Sequence, residues 1–437
     1  MTEPQSAPGG EQSRAGQVFL YFGPLTFLLY LTAPTAYLVD FGTSYMLKDQ
    51  LHATAEQVAN FRLITAIPTY FAVVFGLTRD LWNPLGRRDR AYLFLFSPVM
   101  AAIFTWLAVT KLSYGGLLVG MLLLMTLSRF QSAAYQGLIA LIGQEKLMSG
   151  RLTALWQVVA SFPQVLGALA GGWVAEHLRP SETFIILAIM SLVLGAYGAL
   201  KPAAVFRGAY DQPLAKGTHF WGDVKRLVKH RAIYPAVLIA FMFQFAPGSN
   251  TPLQFYLHDK LHASDAVYGE YYAVFAAAFV PMFFVYGWLC KRVSLQKLLW
   301  WGTIITVPQM MPLAFIHSAQ AAVWLAAPIG MMGGIAAGAY FDLAMRSCPA
   351  GLQGTLMMLV ESGFQLSYRG GDVLGAKLYS LSPTNGFLYC AIATTVVYAL
   401  ILPVLLLIPK GLIATMDGER NPELDAEASA AAAASTG

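Results

Sequence analysis

Three charged residues, Glu361, Arg369 and Asp372, share one predominantly apolar stretch of the chain, residues 352–379. On a helix, Glu361 and Asp372 lie within roughly 20° of each other, because successive residues advance by about 100°. Glu361 has no cation nearby in sequence, and burial then favours its neutral acid. A carboxyl group that gains and loses a proton suits proton coupling, to which we assign Glu361 and Asp372. Arg369 either forms a local ion pair with Asp372 or binds an anionic substrate.

Arg129 lies midway along a second apolar stretch, residues 115–142. A guanidinium in apolar surroundings is costly unless it faces a cavity or a partner. We therefore predict that Arg129 binds an anionic substrate or a carboxylate such as Glu361 or Asp40. Asp40 itself is assigned to proton coupling and Arg62 to a gate, although these two could simply pair with each other.

The segment Ala246–Pro252, APGSNTP, interrupts another apolar stretch with two prolines and a glycine. Proline removes a helical hydrogen bond, so this segment cannot be regular helix throughout. Irregular backbone at membrane depth is tolerated where it lines a cavity or lies within protein. Asn250 and Gln254 would then offer uncharged hydrogen bonds to a substrate, and Tyr37 could stack on an aromatic one. A plain proline kink is the alternative.

The composition indicates which environment holds these residues. Of 437 residues, 57% are apolar and 12% are charged, whereas soluble domains average about 45–50% and about 25%. A soluble enzyme, a nucleic-acid binder and a disordered protein are therefore poor interpretations, and an integral membrane protein is favoured. The three distant cysteines form no CxxC pair, and the sequence has no GxxxxGK[ST] loop and no nucleophile–base pattern. We predict no enzymatic activity, no cofactor and no metal site.

Twelve stretches are long and apolar enough for membrane helices, which need about 20 residues each. They cover residues 18–47, 58–78, 92–110, 115–142, 152–175, 183–200, 232–257, 270–290, 298–316, 321–345, 352–379 and 387–408. The predicted parts of the chain are a cytoplasmic segment 1–17, a six-helix bundle 18–200, a central loop with a surface helix 201–231, a second bundle 232–409 and a disordered tail 410–437.

The distribution of positive charge predicts the orientation of these stretches. If the N-terminus is cytoplasmic, twenty Lys and Arg residues fall on the inner side and five on the outer side. Cytoplasmic loops carry the excess of Lys and Arg, so we predict that both termini are cytoplasmic. The net charge of +5 is therefore a topology signal that also brings basic residues near anionic lipid.

The two halves of the chain repeat each other. Three glycines of the first half recur 204 residues later, namely Gly150, Gly167 and Gly171 as Gly354, Gly371 and Gly375. Each half holds an even number of stretches, so the halves share an orientation and are related by an axis along the membrane normal. The repeat places Gln157 at the position of Glu361. Since an amide cannot titrate, we assign titration to one half and Gln157 to substrate binding.

Two local motifs resemble those of a known family. The stretch GLTRDLWNPLGRRDRAYL, Gly76–Leu93, resembles the loop motif after the second span of the major facilitator superfamily. The stretch CPAGLQGTLMMLVESGFQLSYRGGDVLG, Cys348–Gly375, resembles the folate–biopterin transporter family and its muropeptide-permease relatives, with Gln353 where that family has Glu. The resemblance implies an all-α membrane protein with twelve transmembrane helices in two six-helix pseudo-repeats, the major facilitator fold.

The same resemblance implies roles for residues of the first motif. Asp80 would hold spans 2 and 11 together at an inner gate, with Arg87 and Arg88 beside it. Asp80 ends its own helix, where the helix dipole disfavours a carboxylate. It therefore needs the N-terminus of another helix or a base such as Arg151, and we assign all four residues to gating.

These observations predict a secondary transporter of the inner, or plasma, membrane that works by alternating access as a monomer, in contact with lipids and without nucleic acid. Its substrate would be a small organic anion moved with protons. The resemblance favours a folate- or pterin-like carboxylate. Muropeptide or siderophore uptake, drug efflux, and a non-transporting assembly factor or sensor are the alternatives.

Overall fold

The structure, a computed structural model, describes residues 8–35, 39, 42–44, 46–207 and 220–419. This part of the chain is helical and contains no β-strand. Its longer helices are α1 (Pro8–Leu31), α2 (Glu56–Leu81, with turns at Ala66 and Phe71), α3 (Asp89–Val109), α4 (Tyr114–Glu145), α5 (Ser149–His177), α6 (Pro180–Gly198), α7 (Ile233–Gln244), α8 (Asp265–Leu289), α9 (Leu295–Thr306), α10 (Ala319–Arg346), α11 (Gln353–Ser380) and α12 (Gly386–Ala399). Shorter helical segments are Met46–Gln50, Pro84–Gly86, Ala203–Phe206, Phe220–Lys229, Thr251–Phe255, Tyr256–Lys260, Met311–Phe315, Ile401–Leu405 and Lys410–Ala414.

In this described part of the chain, eight helical spans are long and apolar enough to cross a membrane: α2, α3, α4, α6, α8 and α10, together with α9 continued to Phe315 and α12 continued to Leu405. Two others, α1 and α7, carry shorter apolar runs, Ala15–Leu31 and Ile233–Gln244. The remaining two, α5 and α11, are 29 and 28 residues long. Each predicted stretch overlaps one of these helices, whereas twelve spans and their orientation stay predictions.

The seventh predicted stretch, residues 232–257, is interrupted as its composition predicts. Helix α7 ends at Gln244, and helical turns resume only at Thr251. Pro252 stands in the first turn of the new segment, where its missing N–H costs no helical hydrogen bond. The chain between these two points is free to place backbone groups against neighbouring helices.

The first and second halves of the chain approach each other most closely at glycines. A Cβ atom added to Gly76 on α2 would lie 2.4 Å from the carbonyl oxygen of Gly354 on α11. A Cβ atom added to Gly287 on α8 would lie 2.9 Å from the Cβ of Ala154 on α5. Gly287 lies 211 residues after Gly76 and is its counterpart in the second half, so the two glycines permit two close helix crossings between the halves.

We expect Gly76→Ala to destabilise the crossing of α2 and α11. The added methyl group would meet backbone atoms that have no rotamer with which to move aside, and overpacking of this kind costs about 1–3 kcal/mol. The measurement is the melting temperature of the detergent-purified protein. Gly115→Ala on α4 is the matched control, because a Cβ there meets nothing within 4 Å. Equal melting temperatures for the two variants would contradict the crossing.

Polar contacts between the halves concentrate at the end of the bundle where α2 finishes and α11 begins, which we name the closed end. There the Gln144 amide donates hydrogen bonds to the carbonyl oxygens of Met345 and Cys348, at 2.9 and 2.8 Å. Near the opposite end, polar side chains such as Gln254 and Arg369 are exposed. The closed end therefore shields the centre of the bundle from one side.

Candidate functional site

An ion pair joins the two halves in the middle of the bundle. Arg129, on the central turn of α4, places Nη1 3.6 Å from Oε1 of Glu361 on α11. The side chain of Arg129 is 8% exposed and that of Glu361 is 24% exposed. No cation lies near Glu361 in sequence, and its partner Arg129 comes from another helix, which is one of the pairings considered for Arg129. Of the two carboxylates considered for Arg129, Glu361 is in contact with it, and Asp40 lies outside the described residues.

The guanidinium of Arg129 keeps hydrogen-bonding capacity that this pair does not use. Its Nε is buried and has no hydrogen-bond partner among the described residues, and 3.6 Å is longer than a good charge-assisted hydrogen bond. Glu361 also faces the amide of Gln365, whose Nε2 lies 3.5 Å from Oε1. A planar fork with an unused donor is suited to a carboxylate ligand.

Aromatic side chains from three helices form a connected group that reaches the ion pair through Tyr30. The indole Nε1 of Trp156 on α5 donates to the hydroxyl of Tyr30 on α1 at 2.8 Å. Tyr30 lies within electrostatic range of Arg129 and Glu361. The ring of Trp156 packs edge-on against Phe341 of α10, with ring centroids 5.5 Å apart. These rings give the centre of the bundle apolar walls and a hydrogen-bonded hydroxyl.

An apolar pocket continues from these rings into the second half. It is lined by Ala240, Phe243, Ala337, Tyr340, Phe341, Val360 and Phe364. Val360 and Phe364 flank Glu361 in sequence, so the pocket adjoins the ion pair. The walls of this pocket are apolar, and the charged groups beside it are those of Arg129 and Glu361.

Asp80 lies at the closed end and bridges α2 to the N-terminus of α11. Its carboxylate accepts the backbone N–H of Gly354 at 3.2 Å and that of Thr355 at 2.6 Å. The Thr355 hydroxyl donates a third hydrogen bond at 2.6 Å. Of the two partners considered for Asp80, the structure has the helix N-terminus, which stabilises a carboxylate. Arg151 is not its partner.

Arg79 supplies the positive charge beside Asp80, and its role was missed in the sequence. Its Nη1 lies 2.6 Å from Asp80 and its Nε 2.5 Å from Asp89. A Cβ added to Gly137 would lie 2.5 Å from the guanidinium carbon, so the glycine makes room for the group. The Arg-Asp dipeptide with a second Asp nine residues later was the available signal.

Arg151 pairs with a carboxylate near the end of the described chain. Its Nε donates to Asp417, whose other oxygen accepts the Gly150 N–H at 2.9 Å. The sequence predicts a disordered tail from residue 410 onward. For residues 410–419 that prediction is wrong, because the structure places them against the bundle. Residues 420–437 lie outside the described part of the chain. Sequence offered no signal for this pair, because 266 positions separate its members.

A second buried pair at the closed end stabilises α10. Arg346 donates from Nε and Nη2 to Asp342, at 2.9 and 3.2 Å, and the Tyr286 hydroxyl donates to the same carboxylate at 2.8 Å. The Nη1 of Arg346 also donates to the Thr415 carbonyl at 3.0 Å. The spacing of four residues between Asp342 and Arg346 was a signal that the sequence interpretation passed over.

Asp372 and Arg369 do not form the local pair that was considered for them. Asp372 instead accepts the backbone N–H and the hydroxyl of Thr251, at 2.9 and 3.0 Å. It therefore anchors the segment that follows the break after α7. Arg369 is exposed, with its guanidinium carbon 5.6 Å from the Tyr368 ring centroid.

The other predicted site residues are spread along the bundle. Gln157 is half-buried on α5, one residue from Trp156, whereas Gln254 is exposed and Asn250 precedes the Thr251–Phe255 segment. Arg62 is exposed, with Nη2 3.4 Å from the Ser44 hydroxyl. Arg87 and Arg88 lie in the turn between α2 and α3. Tyr37 and Asp40 lie outside the described residues. Among the residues that are described, no group of His, Cys, Asp and Glu could hold a metal ion.

Comparison with known proteins gives a consistent result. The model of the Major Facilitator Superfamily matches residues 18–368. The chain is 24% identical over 389 residues to the folate-biopterin transporter of Synechocystis sp., which covers 84% of this chain and 78% of the relative. It is 21% identical over 291 residues to folate transporter 2 of Plasmodium falciparum, and that match covers 65% of this chain and 62% of the relative.

Solved structures show the same fold. The superfamily transporter FucP, in its outward conformation, superposes with a TM-score of 0.65 at 16% identity, covering 89% of this chain and 97% of that one. Together with the apolar helices, these findings identify an integral multi-pass membrane protein and a transporter of a small molecule rather than an enzyme. The resemblance inferred from the two motifs is confirmed: the chain belongs to the Major Facilitator Superfamily.

Proposed function

We propose that this protein is a secondary active transporter that moves a small organic anion across the inner membrane by alternating access, with protons as the coupling ion. The observation that carries the proposal is the Arg129–Glu361 ion pair, 3.6 Å apart in the middle of the bundle. It joins α4 of the first half to α11 of the second. A ligand that separates the pair therefore acts on the contact between the halves.

Charge balance supports coupling between the anion and the proton. Removing one partner of a buried ion pair leaves an uncompensated charge, which costs about 3–5 kcal/mol. An anionic substrate can take the place of Glu361 on Arg129 without that cost only if Glu361 binds a proton. The site then holds one positive and one negative charge in both states, and substrate and proton bind together. Asp372 and Asp40 are secondary candidates for proton binding.

The walls of the site favour a ring-bearing carboxylate. Tyr30, Trp156 and Phe341 offer aromatic faces and a hydroxyl beside the guanidinium. Gln157, Asn250, Gln254, Arg369 and Tyr37 are further candidates for substrate contact along the path. The two curated relatives named above are folate transporters by description, so folates and pterins are the substrates to test first.

The closed end supports a gating role for the residues that bridge it. We infer that this end faces the cytoplasm, since twenty Lys and Arg residues fall on that side and five on the other. Asp80 on the N-terminus of α11 would be the principal latch, with Arg87, Arg88 and Arg151 nearby and Arg62 near the opposite end. The bundles 18–200 and 232–409 would move as rigid halves of a monomer, and the basic Phe220–Lys229 helix would contact lipid headgroups.

A ligand screen by thermal shift tests the substrate class. Detergent-purified protein is melted at two pH values against folates, pterins, muropeptides, siderophores and simple carboxylates. A ligand at about 100 times its Kd adds about 2.7 kcal/mol to stability, which raises the melting temperature measurably. We expect a folate or pterin to stabilise the wild type, more strongly at the lower pH, and to leave Arg129→Ala unchanged.

Other outcomes would redirect the assignment. Stabilisation by a muropeptide or a siderophore alone would keep the anion site and replace the substrate. If uncharged drugs are added to the panel, stabilisation by one of them that persists in Arg129→Ala would contradict an anion site and favour efflux. If cells that depend on this protein grow equally well with Arg129→Ala and with Glu361→Gln, a non-transporting assembly factor or sensor would be favoured.

A further inference from the structure

The last described segment of the chain is fixed to the second half. Leu412 and Ile413, each 3% exposed, pack in the same apolar core as Leu295. The Thr415 carbonyl accepts from Arg346 at 3.0 Å. The Asp417 N–H donates to the Cys290 carbonyl at 2.9 Å. Residues 410–419, which we name the C-terminal strap, therefore move with α8, α9 and α10.

The same strap holds the first half through one side chain. The Asp417 carboxylate accepts the Gly150 N–H at 2.9 Å and a hydrogen bond from Arg151 Nε. Its side chain is 0% exposed. Both partners belong to the first turn of α5, so the negative charge lies at a helix N-terminus that stabilises it. Asp417 thus links a strap carried by the second half to a helix of the first.

The internal repeat explains why this carboxylate comes from the strap. Gly150 is the counterpart of Gly354, 204 residues later, and each is the second residue of its helix. In one crossing, Gly354 N–H meets the carboxylate of Asp80 at 3.2 Å. The counterpart of Asp80 in the second half, 211 residues later, is Lys291. A lysine has no acceptor, so it cannot occupy the N-terminus of α5.

We propose that the C-terminal strap is a second latch of the closed end and that Asp417 is its gating residue, the counterpart of Asp80 at the crossing of α5 and α8. The proposal rests on alternating access, the proposed function, because a latch must release in each cycle. Opening of the closed end then requires Asp80 to leave α11 and Asp417 to leave α5 together. Loss of either carboxylate favours the conformation in which this end is open.

Two truncations form a matched test. One ends the chain after Glu419 and keeps the strap contacts, whereas the other ends it after Ala414 and removes Asp417. The reporter is Cys290, which is 1% exposed and whose carbonyl accepts from Asp417. The readout is the rate at which a membrane-impermeant maleimide labels this cysteine in protein that carries Cys348→Ser and Cys390→Ser. We expect about tenfold faster labelling after the shorter truncation, as the open population grows, and the wild-type rate after the longer one.

A second reporter separates opening of the whole end from local loosening. Cys348, 1% exposed near the N-terminus of α11, is labelled in protein that carries Cys290→Ser and Cys390→Ser. We expect Asp417→Asn and Arg151→Gln to accelerate the labelling of Cys348 as well as that of Cys290. The control is Asp259→Asn, whose carboxylate is exposed and pairs with His258 away from the latch; it should change neither rate.

The outcomes are decisive in both directions. Equal Cys290 labelling in the two truncations, or a Cys290 increase without a Cys348 increase, overturns the latch. If the shorter truncation does not fold, the two point variants decide by the same rates. Faster labelling of both cysteines in a protein that transports none of the tested anions supports the latch and rejects the substrate proposal, so the two failures can be told apart.

Discussion

Replacement of Arg129 by alanine is expected to abolish substrate-dependent stabilisation and to reduce uptake by about two to three orders of magnitude. The estimate follows from the loss of a charge-assisted partner in a largely buried site, which costs about 3–5 kcal/mol. The side chain of Arg129 is 8% exposed, and its buried Nε has no partner in the part of the chain that the structure describes. The measurement is uptake of the identified ligand into proteoliposomes, together with its Kd.

Two companion variants separate binding from folding. Arg129→Ala leaves Glu361 without its cation, whereas Arg129→Ala with Glu361→Gln removes both charges and should recover the melting temperature without recovering binding. Arg129→Lys keeps the charge but loses the planar fork, so we expect partial binding. Full uptake by Arg129→Ala would show that the substrate binds elsewhere.

Replacement of Asp80 by asparagine is expected to open the closed end and to slow transport by about one to two orders of magnitude. The carboxylate accepts from Gly354, Thr355 and Arg79, and hydrogen bonds to a charged group contribute about 1.5–3 kcal/mol each. An amide keeps the shape of the side chain but loses the charge. The measurement combines uptake with the rate of maleimide labelling of Cys348 in otherwise cysteine-free protein.

The labelling rate shows whether Asp80 acts as a latch. Each rate is measured in protein that keeps only the cysteine in question. We expect faster labelling of Cys348 and an unchanged rate for Cys390, which is buried on α12 and hydrogen-bonded to the Gly375 carbonyl. An Asp80→Asn protein that loses uptake while Cys348 stays protected would contradict a gating role and indicate a purely structural one.

Apolar stretches predicted an all-helical membrane protein, and the resemblance of two motifs to known transporters predicted the family. Membrane helices need long apolar runs, so their positions are encoded locally, and the break after Gln244 followed from two prolines and a glycine. The sequence also predicted a helix N-terminus as one of two possible partners of Asp80, because a carboxylate that ends one helix is stabilised by the N-terminus of another.

The contacts between helices were less predictable. The sequence indicates which charges lie in the membrane but not which helices bring them together, so it left both Glu361 and Asp40 open as partners of Arg129, and Asp372 open as a partner of Arg369. Asp417 lay in a polar segment with no apolar pattern, and its contacts with Gly150 and Arg151 depend on packing between the two halves. Arg79 and Arg346 were predictable from their spacing to Asp80 and Asp342.

Proton-driven uptake by the wild type and by Glu361→Gln tests the central claim most directly. The protein is reconstituted into proteoliposomes, and movement of the ligand found in the screen is measured twice. The first measurement is uptake driven by an inward proton gradient, and the second is exchange of ligand without a gradient. The account predicts that the gradient drives accumulation in the wild type, and that Glu361→Gln exchanges ligand but no longer accumulates it. Accumulation by Glu361→Gln that still follows the proton gradient would contradict the role of the Arg129–Glu361 pair in coupling.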